Sequence, residues 1–287
     1  MQTVAIVGLG LIGGSLGLDL TRLGYRVIGV TRRPETAQMA LAKEVVHQAG
    51  TDLPLVKEAD IVVICTPMDG VVAIAQALLP HLKAATILTD VASVKGALVR
   101  ELEALWPNFV GGHPMAGKAE AGLAVAEPNL FCGRPYVLTP TERTPQPAVT
   151  AMAHLAQQLG AHLYTCRPEE HDRAVAWISH LPVMVSSSLI QACQQEPEPT
   201  ILALAQALAS SGFRDTSRVG GGVPDLGTLM ARYNRDALLQ SLNLYQQQVE
   251  RLKHWIVTED WQGLHQFLSQ AQGARPAYVE PTPQVGE

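Results

Sequence analysis

The stretch Thr3-Val-Ala-Ile-Val-Gly-Leu-Gly-Leu-Ile-Gly-Gly-Ser15 decides how the rest of the chain is read. Val4 to Val7 is a short apolar run of the kind that forms a buried strand. It breaks into Gly8-x-Gly10-x-x-Gly13 and passes into an amphipathic segment, Ser15 to Leu23, closed by Gly24. A strand, a glycine turn and a helix in immediate succession form the context in which this spacing binds a dinucleotide. Gly8 permits the turn, Gly10 lets the backbone approach a pyrophosphate, and Gly13 lets helix and strand pack closely. The helix start offers free N–H groups and a partial positive charge to the phosphates, and Leu11 and Ile12 are counted with the glycines among the expected cofactor-binding residues.

Outward from that turn, the first half alternates strand and helix patterns. Tyr25–Val30 reads as the second strand, followed by a helix from Pro34 and a weak strand around Glu44–Val46. Asp60–Cys65, Ala85–Asp90 and Phe109–Pro114 read as further strands, with helices to about Leu82 and from Ser93 to Trp106 between them. Tyr136–Thr139, a helix near Val149–Leu159, and Ala161–Cys166 extend the sheet. The expectation is an α/β chain with a Rossmann-type, doubly wound, mostly parallel sheet over 1–167. Ligands bind such sheets beyond the carboxyl ends of the strands, so the loops at Thr66-Pro67, Ala92-Ser93 and His113-Pro114 should share one cleft with the glycine turn.

After Pro168 the character changes. Glu170–Gln195, Thr200–Ser211 and Pro224–Lys253 read as helices, giving an all-helical domain over 168–274. Between Ala174 and Phe213 the only formally charged residues are Glu196 and Glu198, in a connecting loop. Helices this poor in charge call for burial on every face. A domain of this size has too little interior for them, so a homodimer through the helical domain is expected. The Pro-rich segment 275–287 reads as a disordered tail.

The chain has 287 residues, 47% hydrophobic and 16% charged, with a formal net charge of −5. That composition is globular and offers no basic stripe for a nucleic-acid partner. Its four cysteines, Cys65, Cys132, Cys166 and Cys193, form no C-x-x-C pair. They read as reduced thiols of a cytoplasmic protein, with no structural metal expected. The first strand begins at once, leaving no room for a signal peptide, and no run approaches about 18 unbroken apolar residues, so no membrane span is expected.

The residue that separates NAD from NADP falls at the end of the second strand. The stretch there is Gly29-Val30-Thr31-Arg32-Arg33. An acid that would hold a ribose 2′-hydroxyl is missing, and a hydroxyl with two guanidiniums stands in its place. Arginine forks suit phosphate oxygens, which favours NADP.

Four more stretches stand out: Asp90-Val-Ala-Ser-Val-Lys95, Gly111-Gly-His-Pro-Met-Ala-Gly117, Ser179-His-Leu-Pro182 and Gly212-Phe-Arg-Asp-Thr-Ser-Arg218. With the glycine turn they make a chain that closely resembles the prephenate and arogenate dehydrogenases of tyrosine biosynthesis. The resemblance runs from residue 1 to about residue 270, and is greatest to the compact, NADP-using arogenate dehydrogenases of cyanobacteria. It implies oxidation of a cyclohexadiene bearing a C4 hydroxyl and a C1 carboxylate. Hydride leaves C4, the hydroxyl loses its proton, and the dienone loses carbon dioxide to become aromatic.

That chemistry asks for a base, a carboxylate clamp and a fixed cofactor. His113, on a loop at the carboxyl edge of the sheet, is the candidate base, since an imidazole is matched to proton removal near neutral pH. Ser93 would bond both the substrate hydroxyl and His113, and it also reads as a helix N-cap. Arg218 matches the family's substrate-binding arginine and would grip the carboxylate, with Arg214 adding positive field. Within Ser-His-Leu-Pro, Ser179 and His180 are assigned to the substrate pocket, and Pro182 should kink the helix. Thr66 and Pro67 should line the wall beside the cofactor ribose. His171-Asp172 reads only as the start of the long helix.

The chain departs from many prephenate-specific members at two places. Val183 stands where they carry a second histidine, and Gly227 where they carry a tryptophan. Both fall where the substrate's side chain would lie, and loss of an imidazole donor suits an ammonium-bearing tail better than a keto one. The alternatives are a prephenate dehydrogenase giving 4-hydroxyphenylpyruvate and a non-catalytic NADP-binding sensor. A β-hydroxyacid dehydrogenase, which shares the two-domain plan, would need a lysine on the helical side, and none occurs between Lys118 and Lys253.

Overall fold

The computed structural model describes residues 2–118 and 120–279. The chain divides into two compact units, Met1–Leu238 and Leu239–Glu287. The first unit is built on strands β1 (Thr3–Val7), β2 (Arg26–Val30), β3 (Gln48–Gly50), β4 (Ile61–Ile64), β5 (Ile87–Asp90), β6 (Phe109–Pro114), β7 (Pro135–Thr139) and β8 (His162–Thr165). They form one sheet in the order β3-β2-β1-β4-β5-β6-β7-β8. Pairing is parallel throughout except between β6 and β7, which run antiparallel.

Side chains alternate across this sheet, as the two-residue strand period requires. Val4 and Ile6 of β1 face a core shared with Leu16 and Leu20 of α1 (Leu11–Arg22) and Met152 and Leu155 of α5 (Gln146–Gln158). Ala5 and Val7 face the opposite core, with Val71 and Leu78 of α3 (Val71–Leu78) and Leu98 and Leu102 of α4 (Gly96–Leu105). Helix α2 (Pro34–Ala42) follows β2. Both faces are covered, so this is the expected doubly wound architecture.

The glycine turn starts its helix earlier than the amphipathic pattern suggests, at Leu11 rather than Ser15, because Gly10 already serves as N-cap. The apolar pair Val45–Val46 is not a strand. Glu44 adopts a left-handed φ of 53° after α2, so the chain turns there and pairs with β2 only from Gln48. Val45 and Val46 are buried instead beneath α1, where a Cβ on Gly17 would meet Val45 at 2.7 Å.

A single continuous helical stretch crosses 168–194 as α6 (Pro168–Val175), a wide π segment (Ala176–His180) and α7 (Leu181–Gln194). Pro182 has no N–H, and its ring would crowd the carbonyl four residues back, so the extra residue of a π segment just before it relieves the clash. By length and mean hydropathy this helix is long and apolar enough to cross a membrane. Its polar residues His171, Asp172 and His180 are nonetheless buried within the protein.

Helices α8 (Pro199–Leu208), α9 (Ser211–Ser217) and α10 (Pro224–Tyr233) follow, with a 3₁₀ turn at Arg218–Gly221. The arginine stretch expected as a loop is therefore helical. It docks on α7 through Gly220, whose N–H donates to Ser186 Oγ at 3.0 Å and where a Cβ would meet the Ser187 backbone nitrogen at 2.6 Å. The helix expected over Pro224–Lys253 breaks at Asn234, with α11 (Arg235–Val257) restarting beyond it. Burial on every face is not met within one chain: α8 has no buried residue, and Ile201, Leu204 and Leu208 are 49%, 53% and 70% exposed.

The second unit holds the rest of α11, then α12 (Trp261–Ala274), inside the expected all-helical stretch but not one of the three helices placed in it, and α13 (Pro276–Val279). Asp260 caps α12 by accepting from the Gly263 N–H at 2.9 Å, and Trp255 and Phe267 bring their rings to 5.4 Å. Of the expected disordered tail, residues 276–279 are helical and 280–287 lie outside the described residues.

Candidate active site

The glycine turn sits at the carboxyl end of β1, where the sheet order reverses between β2 and β4. Gly8 has φ +106°, and a Cβ there would meet the Cys65 carbonyl oxygen at 2.6 Å. A Cβ on Gly13 would lie 2.0 Å from the Gly8 oxygen, whereas one on Gly10 would meet nothing within 4 Å. Two glycines are therefore required by the fold, and the middle one keeps a surface clear. Gly10 caps α1 without a side-chain bond, leaving the first-turn N–H groups of Leu11 and Ile12 to an outside acceptor. Thr66, beside the turn, has a buried hydroxyl with no partner among the described residues, and Pro67 is exposed. Thr31 is half-buried, and Arg32 and Arg33 are exposed beyond β2, with no ion pair among the described residues. These features fit a dinucleotide: backbone donors and a clear face for a pyrophosphate, and free guanidiniums near the second strand's end.

At the next strand ends, Asp90 and Lys95 are both fully buried and ion-paired. Lys95 Nζ also donates to the Gly112 carbonyl at 2.8 Å, while Asp90 accepts from the backbone N–H of Ala92 at 2.9 Å and of Gly112 at 3.3 Å. Burial pulls the Lys95 ammonium's pKa down, against the opposing pull of Asp90. The pair ties the end of β5 to β6 one residue before His113.

His113 is 8% exposed, and its Nδ1 lies 2.8 Å from His171 Nε2. His171 Nδ1 lies 2.8 Å from Asp172 Oδ1. The carboxylate can only accept, so His171 carries its proton on Nδ1. Its Nε2 then accepts from His113 Nδ1–H, which leaves the lone pair of neutral His113 on Nε2. Burial first, and then the neighbouring His171, Lys95 and His180, hold the His113 pKa well below its ordinary value. The ring is thus neutral, oriented and able to take a proton.

Asp172 does more than orient a ring. Its two oxygens accept from the backbone N–H groups of Lys95 and Gly96, each at 2.7 Å. It therefore caps the amino end of α4 from another helix. This corrects the reading of Ser93 as an N-cap, since α4 begins only at Gly96 and has no side-chain cap of its own. Nor does Ser93 bond His113: its buried hydroxyl has no partner among the described residues.

His180 is fully buried, with Nδ1 3.1 Å from the amide nitrogen of Asn234. That nitrogen also donates to the Asp172 carbonyl at 2.7 Å. Burial lowers the His180 pKa to about 4, with Asp172 opposing and His171 assisting. Ser179 is half-buried on the same π segment. His113 and His180 are thus brought into one network, with Ser93 two residues before Lys95.

Arg214 and Arg218 are not tied into that network. Both are exposed, Arg214 on α9 and Arg218 at the start of the 3₁₀ turn; Arg214 lies 3.9 Å from Asp215, and Arg218 makes no ion pair among the described residues. Below them α7, the 3₁₀ turn and α10 enclose a cavity of about 420 Å³ lined by Val183, Met184, Ser187, Gly227 and Thr228 among others. A Cβ on Gly227 would lie 3.6 Å from Val183, so the two departures noted in the sequence face each other.

His171, Asp172 and Asn234 escaped the sequence reading. The one available signal was an adjacent His-Asp pair at the head of a helix that soon becomes apolar.

The prephenate dehydrogenase nucleotide-binding domain model matches residues 16–165, and the prephenate dehydrogenase dimerization domain model matches residues 167–270. The chain is 32% identical over 281 residues to a prephenate dehydrogenase of Bacillus subtilis, spanning 96% of this chain and 75% of that one. It is similar to the crystal structure of Synechocystis arogenate dehydrogenase, at 50% identity and TM-score 0.88, over 97% of this chain and 100% of that one. It is also similar to an A. aeolicus prephenate dehydrogenase solved with hydroxyphenyl propionate and NAD+, at 28% identity and TM-score 0.90, covering 96% and 97% of the two chains.

Proposed function

The chain belongs to the prephenate dehydrogenase family, and from that premise we propose that it is an NADP-dependent arogenate dehydrogenase producing tyrosine. The observation that carries the reading is the Asp172–His171–His113 chain, which leaves one neutral imidazole nitrogen free at the carboxyl edge of a dinucleotide-binding sheet.

A bound nicotinamide supplies the acceptor for the hydride that leaves ring C4. His113 Nε2 takes the proton from the C4 hydroxyl, and the positive charge it gains is held through His171 by Asp172. Ser93 orients the hydroxyl. Arg218, with Arg214 adding field, grips the ring carboxylate until the bond from C1 to the carboxyl carbon breaks. Carbon dioxide departs, the electron pair enters the ring, and the phenolate oxygen recovers a proton from His113. Ser179 and His180 form the pocket wall.

The NADP preference is supported by Thr31, Arg32 and Arg33, which are free of ion pairs where an acid would otherwise repel a 2′-phosphate. Gly8, Gly10, Leu11, Ile12 and Gly13 would hold the pyrophosphate, with Thr66 and Pro67 beside it. The arogenate preference is supported by Val183 and Gly227, which offer no imidazole or indole to a keto tail. Functionally the chain divides into a nucleotide-binding part, 1–167, and a substrate and dimerisation part, 168–274. A second copy covers the exposed Ile201, Leu204 and Leu208, giving a homodimer. Four free cysteines suit a cytoplasmic enzyme without a membrane or nucleic-acid partner.

A grid of kcat/KM for arogenate and prephenate, each with NADP and NAD, tests the reading. Arogenate with NADP should lead each rival pairing by tenfold or more, about 1.4 kcal/mol. A tenfold preference for prephenate would replace the proposal with its nearest alternative. NADP binding with no turnover of either cyclohexadiene would leave the sensor.

A further inference from the structure

We propose that Asn234 is a positioning residue that fixes His180 as a hydrogen-bond donor through Nε2, and that this donor binds a carbonyl-type oxygen of the reacting pair. The inference rests on the dehydrogenase reading given above and assigns a specific chemistry to one wall of its site.

The tautomer follows from the geometry. The Asp172 backbone carbonyl can only accept, so it is the amide nitrogen of Asn234 that faces it at 2.7 Å. The amide oxygen there would set two acceptors against each other. The same nitrogen lies 3.1 Å from His180 Nδ1, which must therefore accept. Neutral His180 carries its proton on Nε2. A second proton, on Nδ1, would point at the Asn234 donor, so the ring is held neutral by geometry as well as by burial.

That Nε2–H is fully buried and has no partner among the described residues. A buried donor left unpaired is costly, and such groups recur where a ligand completes the bond. His180 and His113 are anchored on adjacent residues, one through Asn234 to the Asp172 carbonyl, the other on the ring of His171. His171 and Asp172 are the ionisable groups that act on His180, and His180 in turn acts on His113. One imidazole presents a lone pair and the other an N–H. That pairing suits an alcohol becoming a carbonyl: the base removes the proton while the donor receives the oxygen's growing charge. The nicotinamide carboxamide oxygen offers the same acceptor chemistry.

The test uses the full chain with ¹⁵N-labelled histidine, and His180→Gln to identify the His180 signals. Long-range ¹H–¹⁵N correlation should show His180 protonated on Nε2 from pH 6 to 8. In Asn234→Asp the new carboxylate should raise the ring's pKa and bring its titration into view. His180→Leu should lower kcat about 10²-fold or more, as removal of an oxyanion donor does, with the NADP Kd within about threefold. His180→Gln, which restores an N–H donor, should recover at least tenfold of that loss. A loss that falls on the NADP Kd instead assigns the donor to the carboxamide and still supports it. If His180→Leu does not fold, the Asn234→Asp titration and the His180→Gln kinetics decide. A proton on Nδ1, an unchanged titration in Asn234→Asp, or His180→Leu and wild type equal in both kcat and Kd would overturn the inference. If the wild-type chain turns over neither cyclohexadiene, the functional reading fails while the tautomer result stands on its own.

Discussion

The Asp172 carboxylate accepts the backbone N–H of Lys95 at 2.7 Å, so a residue of α6 closes the amino end of α4, 77 positions earlier in the chain. The same oxygen holds His171 Nδ1 at 2.8 Å. One side chain thus joins the active-site loop after β5 to the helix that orients the base. A carboxylate at a helix amino end is also favoured by the helix dipole.

Asp172→Asn keeps one acceptor oxygen but introduces a donor. In one orientation the amide NH₂ opposes the Gly96 N–H; in the other it opposes the Lys95 N–H and His171 Nδ1–H, and the His171 tautomer is freed. kcat should fall by about 10²- to 10⁴-fold, as when a buried orienting carboxylate is neutralised. The cap should cost only about 1 kcal/mol, a small fall in Tm. Steady-state kinetics alongside a melting curve would separate the two effects, and a large fall in Tm with kcat preserved would count against the orienting role.

Of the three histidines in the network, two are held neutral below the ordinary pKa of 6.5, His113 by burial and its neighbours and His180 to about 4 by burial. Activity needs His113 unprotonated, so kcat/KM should stay flat as pH falls to 6.5 and decline only below it. Stability follows in the same sense. The unfolded chain binds protons below 6.5 that the folded His180 refuses until about pH 4, so stability is full above 6.5 and is lost between those values. Melting temperatures measured from pH 7.5 down to 4.5 should drop more steeply for wild type than for His180→Gln.

The glycine turn was legible because the left-handed φ of Gly8 and the close approach of Gly13 to the Gly8 oxygen are local constraints, although its helix begins at Leu11 rather than Ser15. Substitution makes the distinction measurable. Gly13→Ala places a Cβ 2.0 Å from the Gly8 oxygen and should unfold the turn, with a Tm loss of many degrees. Gly10→Ala meets nothing within 4 Å, so Tm should hold while the NADP Kd rises tenfold or more, by about 1.4 kcal/mol. Fluorescence titration of NADP and a thermal melt on both variants check this. A Gly10→Ala chain that binds NADP normally would remove the pyrophosphate from that face.

What stayed hidden in the sequence is long-range. His171-Asp172 sits among Pro168, Glu169 and Glu170, residues that any helix start favours, so its local reading was complete without function. Its partners, Lys95, Gly96 and His113, lie more than fifty positions away, and no periodicity reports such a contact. The same holds for Asn234, whose visible local role is to end α10. Ser93 was misread in the opposite direction: a serine ahead of an apolar run is a normal N-cap, yet Asp172 takes that task and leaves its hydroxyl free.

Arg32 and Arg33 carry the cofactor preference in this account. Arg32→Ala with Arg33→Ala should raise the KM for NADP by about 10- to 100-fold, the worth of charge-assisted bonds of about 1.5–3 kcal/mol. The KM for NAD should move by less than about threefold, since its 2′-hydroxyl carries no charge to lose. Equal effects on both cofactors would mean that the two arginines act on shared phosphates instead.

The most direct test of the account compares wild type with His113→Asn, measuring NADPH at 340 nm together with tyrosine and carbon dioxide from arogenate. Wild type should yield the three products in equal amounts, and the variant should lose about 10²- to 10⁴-fold in kcat, the contribution of a positioned general base. Turnover by His113→Asn within about threefold of wild type, or NADPH formed without carbon dioxide, would contradict it.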